Sequence, residues 1–526
     1  MTNPNPFSCM KQLVLVLTLT LSSLSAFAQH FILGAELSNS AATSIADIDS
    51  VIPKVARAGI NTVLVPAQWD LIEPREGVFD FSTIDETIRV ARREKLKVIL
   101  LWFGAWKNSM SCYAPLWFKQ DKRFPRAMTA EGKPLEIATA FSEAVFQADN
   151  KAFMALIHHL KAVDTDRTVL MIQVENEIGM LESARDHSPL ANREYDKGAW
   201  RKELKSIGFA AENEYEDEAF QAIYYAKYVE RLAVNAKKAI DLPLFVNAAM
   251  NSRGRKPGEY PSAGPLAHLK TIWKKFAPHI DLMAPDIYDT GFAGWAAQYD
   301  FKDNPLFIPE SRSCRDTGVR ALYTFGAHHT VGFSCFALDH ADAETVENVR
   351  QGYALLRQLR PLLTGNLKRH GLLFGTADDE KIIHEDDFII TSRHYFTLPW
   401  DPRAKASTWP EAGGMIIRLG KGDYLIAGNG LVVSFQTETE HRQHEEKKLG
   451  EDGFAEKGNE NKAKKLQKTF TGKRAGIGFV DEVEVLPDGN LRYLRRLNGD
   501  EDHQGRHARI AVGDWKVLHV KLYTYE

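Results

Sequence analysis

From residue 31 to about residue 340 the chain repeats one pattern: a short run of apolar residues, then a longer polar stretch compatible with a helix. Apolar runs of this length suit strands buried on both faces, and the stretches between them suit covering helices, so the pattern predicts strand-helix units around a parallel sheet. Eight runs begin at Phe31, Thr62, Val98, Val169, Leu244, Ile280, Leu306 and Val331. Eight is the number that closes a (β/α)8 TIM barrel. A doubly wound dinucleotide-binding sheet uses the same units, but no Gly-x-Gly-x-x-Gly follows the first run. One intervening helix is legible in detail, with Ser82 as N-cap, Asp85 three residues on, and Ile84, Ile88 and Ala91 on one face.

Beyond about residue 365 the texture changes to alternating strands with turns, as in Met415-Ile-Ile-Arg-Leu, Gly420-Lys-Gly-Asp and Tyr424-Leu-Ile-Ala-Gly. This predicts an antiparallel, β-sandwich-like module over 366–526 behind a barrel over 29–365. From His441 to Lys465 charged residues dominate and large apolar ones are nearly absent, which reads as a solvated loop spanning about 438–468. At the other end, Lys11, an apolar stretch from Leu13 and Ala26-Phe-Ala28 before Gln29 have the parts of a secretory signal peptide, residues 1–28. That stretch is too short to span a bilayer, and no other segment could do so. The expected address is the periplasm. Of four cysteines, Cys9 goes with the leader, and Cys112, Cys314 and Cys335 allow at most one disulfide.

Composition narrows the function less than the runs do. Hydrophobic residues at 44% and a net charge of −3 describe an ordinary globular protein without the basic excess that nucleic-acid binding needs. The strand-like runs say more, because two of them end in carboxylic acids: Val169-Leu-Met-Ile-Gln-Val leads into Glu175-Asn176-Glu177, and Leu306-Phe-Ile-Pro ends at Glu310. Barrel enzymes keep their reactive groups at the carboxyl ends of strands. Two carboxyl groups there are what retaining glycoside hydrolysis requires, one to protonate the leaving oxygen and one to attack the anomeric carbon. Alternation puts Glu175 and Glu177 on one face; Glu177 lies nearer the exit, and Glu175 is expected to pair with a barrel Arg or Lys.

Gln173-Val-Glu-Asn-Glu-Ile-Gly179 resembles the fourth-strand signature of glycoside hydrolase family 35, the β-galactosidases, within the clan of (β/α)8 retaining glycosidases; Ile178 stands where that family has an aromatic. Gly59-Ile-Asn-Thr-Val63 with Trp69-Asp70, Glu73-Pro74, Gly77 and Phe79-Asp-Phe81 resembles its second-strand block. Phe31 to Ser40 is similar to the first strand of a bacterial subgroup, and Arg495 to Asp500 to part of that subgroup's C-terminal module.

The resemblance implies Glu177 as general acid/base, Asn176 as a sugar hydrogen-bonding neighbour, Glu310 as nucleophile and Tyr288 as the hydroxyl that keeps Glu310 ionised. It also exposes a departure, since Ala105 stands where much of the family has a galactose-gripping Glu. Glu36, Asn39, Lys107 and Asn108 are the polar groups near strand exits that could replace it. Trp102, Trp106, Trp117 and Trp295 are candidate stacking walls, with Trp106 and Trp295 placed in the sugar site. His158-His159 and His328-His329 lack metal-ligand spacing, and neither metal nor cofactor is expected. The function implied is a retaining exo-β-galactosidase acting on cell-wall oligosaccharides such as galactosylated xyloglucan. A retaining exo-glycosidase for another sugar and an inactive carbohydrate-binding protein are the alternatives.

Overall fold

The computed structural model describes residues 31–210, 215–251, 253–398, 400–447 and 472–526. The expected leader and most of the charged stretch therefore lie outside the described residues. Two compact units emerge, one running to Ser313 with His329–Ala341 added, the other made of Cys314–His328 and Asp342–Glu526.

The first unit is a parallel barrel. Its strands are β1 (Ile32–Glu36), β2 (Thr62–Gln68), β3 (Lys97–Phe103), β4 (Val169–Gln173), β5 (Leu244–Ala249), β6 (Leu282–Ile287), β7 (Leu306–Ile308, resumed at Glu310–Ser311) and β8 (Thr330–Phe336). Sequential strands pair in order from β1 to β6, and β8 pairs with β1. The ring closes through β7, whose first segment pairs with β8 and whose second pairs with β6. Pro309, which has no N–H to give a ladder, sits at that handover.

Each strand sends at least one side chain into a shared interior: Ile32, Leu64, Ile99, Met171, Phe245, Leu282, Phe307 and Val331 belong to one buried cluster. The barrel is thus filled, and function is left to its rim. Helices α1 (Ile45–Ala56), α2 (Ser82–Arg93), α3 (Glu143–Val163), α4 (Glu216–Ala239) and α5 (Phe292–Tyr299) fall between the strands. In α2 the buried face is Ile84, Ile88 and Ala91, but Phe81 occupies the cap position. Asp80 Oδ1 accepts from the Ser82 N–H at 2.9 Å, so an acid two residues ahead takes up an N–H at the helix start where Ser82 was expected to cap.

The second unit holds α6 (Thr317–Ala327) and α7 (Ala343–Leu363), which follow β7 and β8 in the chain, together with two antiparallel sheets. The six-stranded sheet runs β9 (Arg369–Phe374), β12 (Ala412–Gly420), β13 (Asp423–Asn429), β18 (Lys516–Tyr525), β15 (Arg474–Val485), β16 (Leu491–Leu497). The four-stranded one runs β10 (Glu380–Glu385), β11 (Phe388–His394), β14 (Leu431–Thr437), β17 (His507–Ile510). Leu372, Ile390, Ile416, Ile426, Val433 and Leu518 are part of the buried core between them. Helix α6 lies tight on β9: a Cβ added to Gly371 would sit 2.6 Å from the Ala327 Cβ, and one added to Gly326 would sit 3.0 Å from the Gly371 Cα.

The start of the charged stretch is not loop but helix α8 (Glu438–Lys447). Its cause is a capping box: Thr437 Oγ1 accepts from the Glu440 N–H at 3.2 Å while Glu440 Oε2 accepts from the Thr437 N–H at 3.0 Å. Cys112, Cys314 and Cys335 form no disulfide. Among the described residues no helix is long and apolar enough to cross a membrane.

Candidate active site

At the carboxyl ends of the strands the backbone leaves regular geometry. Strand β4 stops at Gln173, and two residues beyond it, Glu175 (φ 60°) and Glu177 (φ 45°), adopt the left-handed conformation that side chains disfavour. The loop after β3 does the same at Asn108 (φ 50°) and Ser109 (φ 58°). The two irregular segments hold each other: Asn176 N–H donates to the Trp106 carbonyl (3.3 Å), Asn108 N–H to the Asn176 carbonyl (3.2 Å) and Ser109 N–H to the Glu177 carbonyl (3.2 Å). From β5, Asn247 Oδ1 accepts from the Glu177 N–H at 2.9 Å. Such strain persists only where surrounding contacts over-determine it, a pattern common at functional sites.

Strand alternation therefore ends before the two acids, and they enter different surroundings. Glu175 Oε2 accepts from the Trp106 N–H at 2.8 Å. Its partner is no Arg or Lys but another acid, Asp149, whose own oxygens accept from Trp102 Nε1 (3.0 Å) and the Tyr228 hydroxyl (2.7 Å). Burial and then Asp149 push the Glu175 carboxyl well above its ordinary range. Gly104 makes room for the pair, since a Cβ there would lie 2.7 Å from Asp149 Oδ1 and 2.8 Å from Glu175 Oε1.

Glu177 instead meets Glu310. Oxygens of Glu177, Glu310 and Asp286 of β6 all lie within 4.8 Å of one another. Asn108 Nδ2 donates to Glu177 Oε2. The Tyr288 hydroxyl donates to Glu310 Oε2 at 2.5 Å, while Arg312 Nε turns to the Tyr288 carbonyl at 2.8 Å. Burial first, and the Glu310 charge second, raise the Glu177 carboxyl to about 7, against the pull of Lys107 and a hydrogen bond with Asp286. The same causes hold Glu36 and Asp286 well above the usual range. Lys107 is 4% exposed with its Nζ 4.8 Å from the Phe103 ring centre. Burial pulls its ammonium down, but Glu310, Glu177, Glu36 and Asp286 outweigh that and keep it above its ordinary value.

Several buried polar atoms here have no hydrogen-bond partner among the described residues: both oxygens of Glu36 and both side-chain polar atoms of Asn176. Asn39 Oδ1, on the chain after β1, is likewise unpaired, and the Asn39 carbonyl accepts from Gln68 Nε2 at 2.7 Å. Unpaired buried groups cost free energy, so these atoms are ready to take hydroxyl groups. The Trp106 ring is fully buried, edge-on to Tyr225 (5.5 Å) and Tyr228 (4.8 Å) of α4. Trp102 gives its Nε1 to Asp149 and Trp117 gives its Nε1 to the Glu73 carbonyl. Trp295, half-buried, walls a cavity of about 520 Å³ beside Met250 and Asn251, together with Phe209, Tyr215 and Tyr260.

Two groups at this site escaped sequence reasoning: Asn247 and Asp286. The signal was present, as each is a polar residue inside an otherwise apolar run. The carboxylate trio has oxygen donors that suit a hard cation. Lys107, buried among the same acids, already supplies positive charge there.

Residues 43–224, from α1 to early α4, match the family described as Beta-galactosidase, glycoside hydrolase family 42. The motifs resembled family 35 and the match is to family 42; they agree on the β-galactosidase kind and differ on the family. Residues 349–509, beyond this glycoside hydrolase segment, match a domain of unknown function (DUF5597). No curated protein matches the chain. Among solved structures, a polyextremophilic β-galactosidase from the Antarctic haloarchaeon Halorubrum lacusprofundi is similar at 15% identity and a TM-score of 0.43, over 62% of this chain and 58% of that one. The β-galactosidase from Bacillus circulans sp. alkalophilus is similar at 15% identity and a TM-score of 0.47, over 62% and 56%. The chain thus spans less than two thirds of the length of either.

Proposed function

We propose that the chain is a retaining exo-β-galactosidase of the family 35 kind. Its substrate would be a terminal, non-reducing β-D-galactosyl residue on plant cell-wall oligosaccharides such as galactosylated xyloglucan fragments, met in the periplasm after export. The observation that carries this reading is the approach of the Glu177 and Glu310 carboxyl oxygens to within 4.8 Å. Retaining enzymes hold their acids about 5 to 5.5 Å apart, whereas inverting ones need roughly 6.5 to 9.5 Å to admit a water. In the proposed cycle Glu310 attacks the anomeric carbon while Glu177 gives its proton to the leaving oxygen. A covalent glycosyl-enzyme results. Glu177 then takes a proton from water, which displaces Glu310 with the β configuration kept.

The neighbours support these roles. The Tyr288 hydroxyl donates to the attacking carboxylate, and a carboxyl raised to about 7 keeps its proton at neutral pH. The side-chain oxygens of Glu36, Asn39 Oδ1 and both polar side-chain atoms of Asn176 make no internal hydrogen bond, which suits them to hydroxyls of the sugar.

Turnover of an aryl β-galactoside tests the reading, with the product anomer read by NMR. Wild type should release the β anomer, Glu310→Gln should abolish turnover, and Glu177→Gln should lower it by about 10²- to 10⁴-fold. An α product would overturn the nucleophile. Ala105 in place of a sugar-gripping acid favours a second reading, another sugar. Aryl arabinoside, fucoside or glucoside turning over faster than the galactoside would establish it.

A further inference from the structure

Four acids crowd the mouth of the barrel, and the mechanism above uses two of them. Asp286 is one of the others. Its carboxyl is 3% exposed, and its Oδ2 accepts from Asn247 Nδ2 at 2.7 Å. Its Oδ1 meets no N–H or O–H donor among the described residues. The group beside it is the Glu177 carboxyl, with an oxygen of each acid within 4.8 Å of the other, and Glu177 is itself an acceptor when ionised. Two carboxyl groups can share such a contact only if one of them carries a proton.

We propose that Asp286 is a positioning residue that stays protonated through the cycle and donates its O–H to the Glu177 carboxyl, holding the acid/base at a usable proton affinity. This rests on the proposed role of Glu177. The charges facing Asp286 favour its neutral form: Glu310 on β7, Glu177 after β4 and Glu36 on β1 all oppose its ionisation, as does burial, which is the largest cause. Lys107 after β3 lies among the same acids, and Tyr288, just past the end of its own strand, and Tyr299 on α5 both feel its charge. Asn247 bridges the system, with Oδ1 on the Glu177 backbone and Nδ2 on Asp286, so both acids are fixed by one amide.

The proton count closes. When Glu177 gives its proton to the leaving oxygen it becomes a carboxylate, and the Asp286 O–H stabilises that charge without transferring. When water loses a proton to Glu177 the starting state returns. Asp286 ends with the proton it began with.

Two substitutions and one spectrum test this. Asp286→Leu removes the donor, so Glu177 should hold its proton more tightly and the alkaline limb of kcat/KM for an aryl β-galactoside should move to higher pH. Asp286→Asn restores a neutral donor on the same skeleton and should bring the limb back. Were Asp286 ionised, Leu would remove a negative charge and the limb would move to lower pH; that result, or no movement, overturns the proposal. Independently of turnover, infrared difference spectra above neutral pH should show a protonated-carboxyl stretch in wild type that Asp286→Asn lacks. Its absence would also overturn the proposal, as would loss of activity on chelation with recovery on adding a divalent cation. If no aryl glycoside is turned over, the proposed function fails while the spectrum still decides the state of Asp286.

Discussion

Glu177 sits where burial and a neighbouring charge make ionisation expensive, and the consequence reaches beyond catalysis. Its carboxyl titrates near 7 in the folded chain against an ordinary 4.5. In the proposed cycle the acid form is required, so kcat/KM should fall as pH rises through about 7. Stability follows the same proton. The folded state binds it more tightly than the unfolded chain, so stability is full below about pH 4.5, declines up to about 7 and then levels off. The difference corresponds to roughly 3 kcal/mol, because one pKa unit is about 1.4 kcal/mol. A midpoint of thermal unfolding that drops between about pH 5 and pH 8, with a smaller drop in Glu177→Gln, would show it. At this scale the sequence exposed the acids but not their surroundings. Alternation cannot foresee a chain that turns left-handed at Glu175 and Glu177, nor that Glu175 would be partnered by Asp149 from a helix far away in sequence.

Elements were legible wherever burial repeats with a fixed period. All eight apolar runs became barrel strands, with starts displaced by at most two residues, because a strand covered on both faces needs apolar residues throughout. The break in β7 at Pro309 shows as a strand that changes neighbours, which a count of apolar runs cannot express. Helix α8 was hidden by its charge. Polarity suggested a loop, whereas the Thr437-x-x-Glu440 pattern, a local signal independent of hydrophobicity, specified a helix start. Thr437→Ala removes the cap and should lower the stability of the second unit by about 1 kcal/mol, measurable by chemical denaturation as a lower midpoint at unchanged slope.

For the molecule as a whole, the change of sequence texture near residue 365 and the division into units fall in different places. Helices α6 and α7 belong with the β sheets, where Arg320 forms a two-pronged ion pair with Glu411 (2.6 and 2.8 Å) and Val319, Leu322 and Phe325 are buried. A chain ending at residue 365 would leave α6 without β9 and β12. It should expose apolar surface and bind a hydrophobic dye, whereas the full-length chain should not. The seam at Pro309 has a last implication. Asp286 and Glu310 are direct partners across the β6–β7 ladder. Slippage there by a single residue would turn one carboxyl outward and bring a serine or an isoleucine inward, so the stitch that completes the cylinder also keeps its two acids in step.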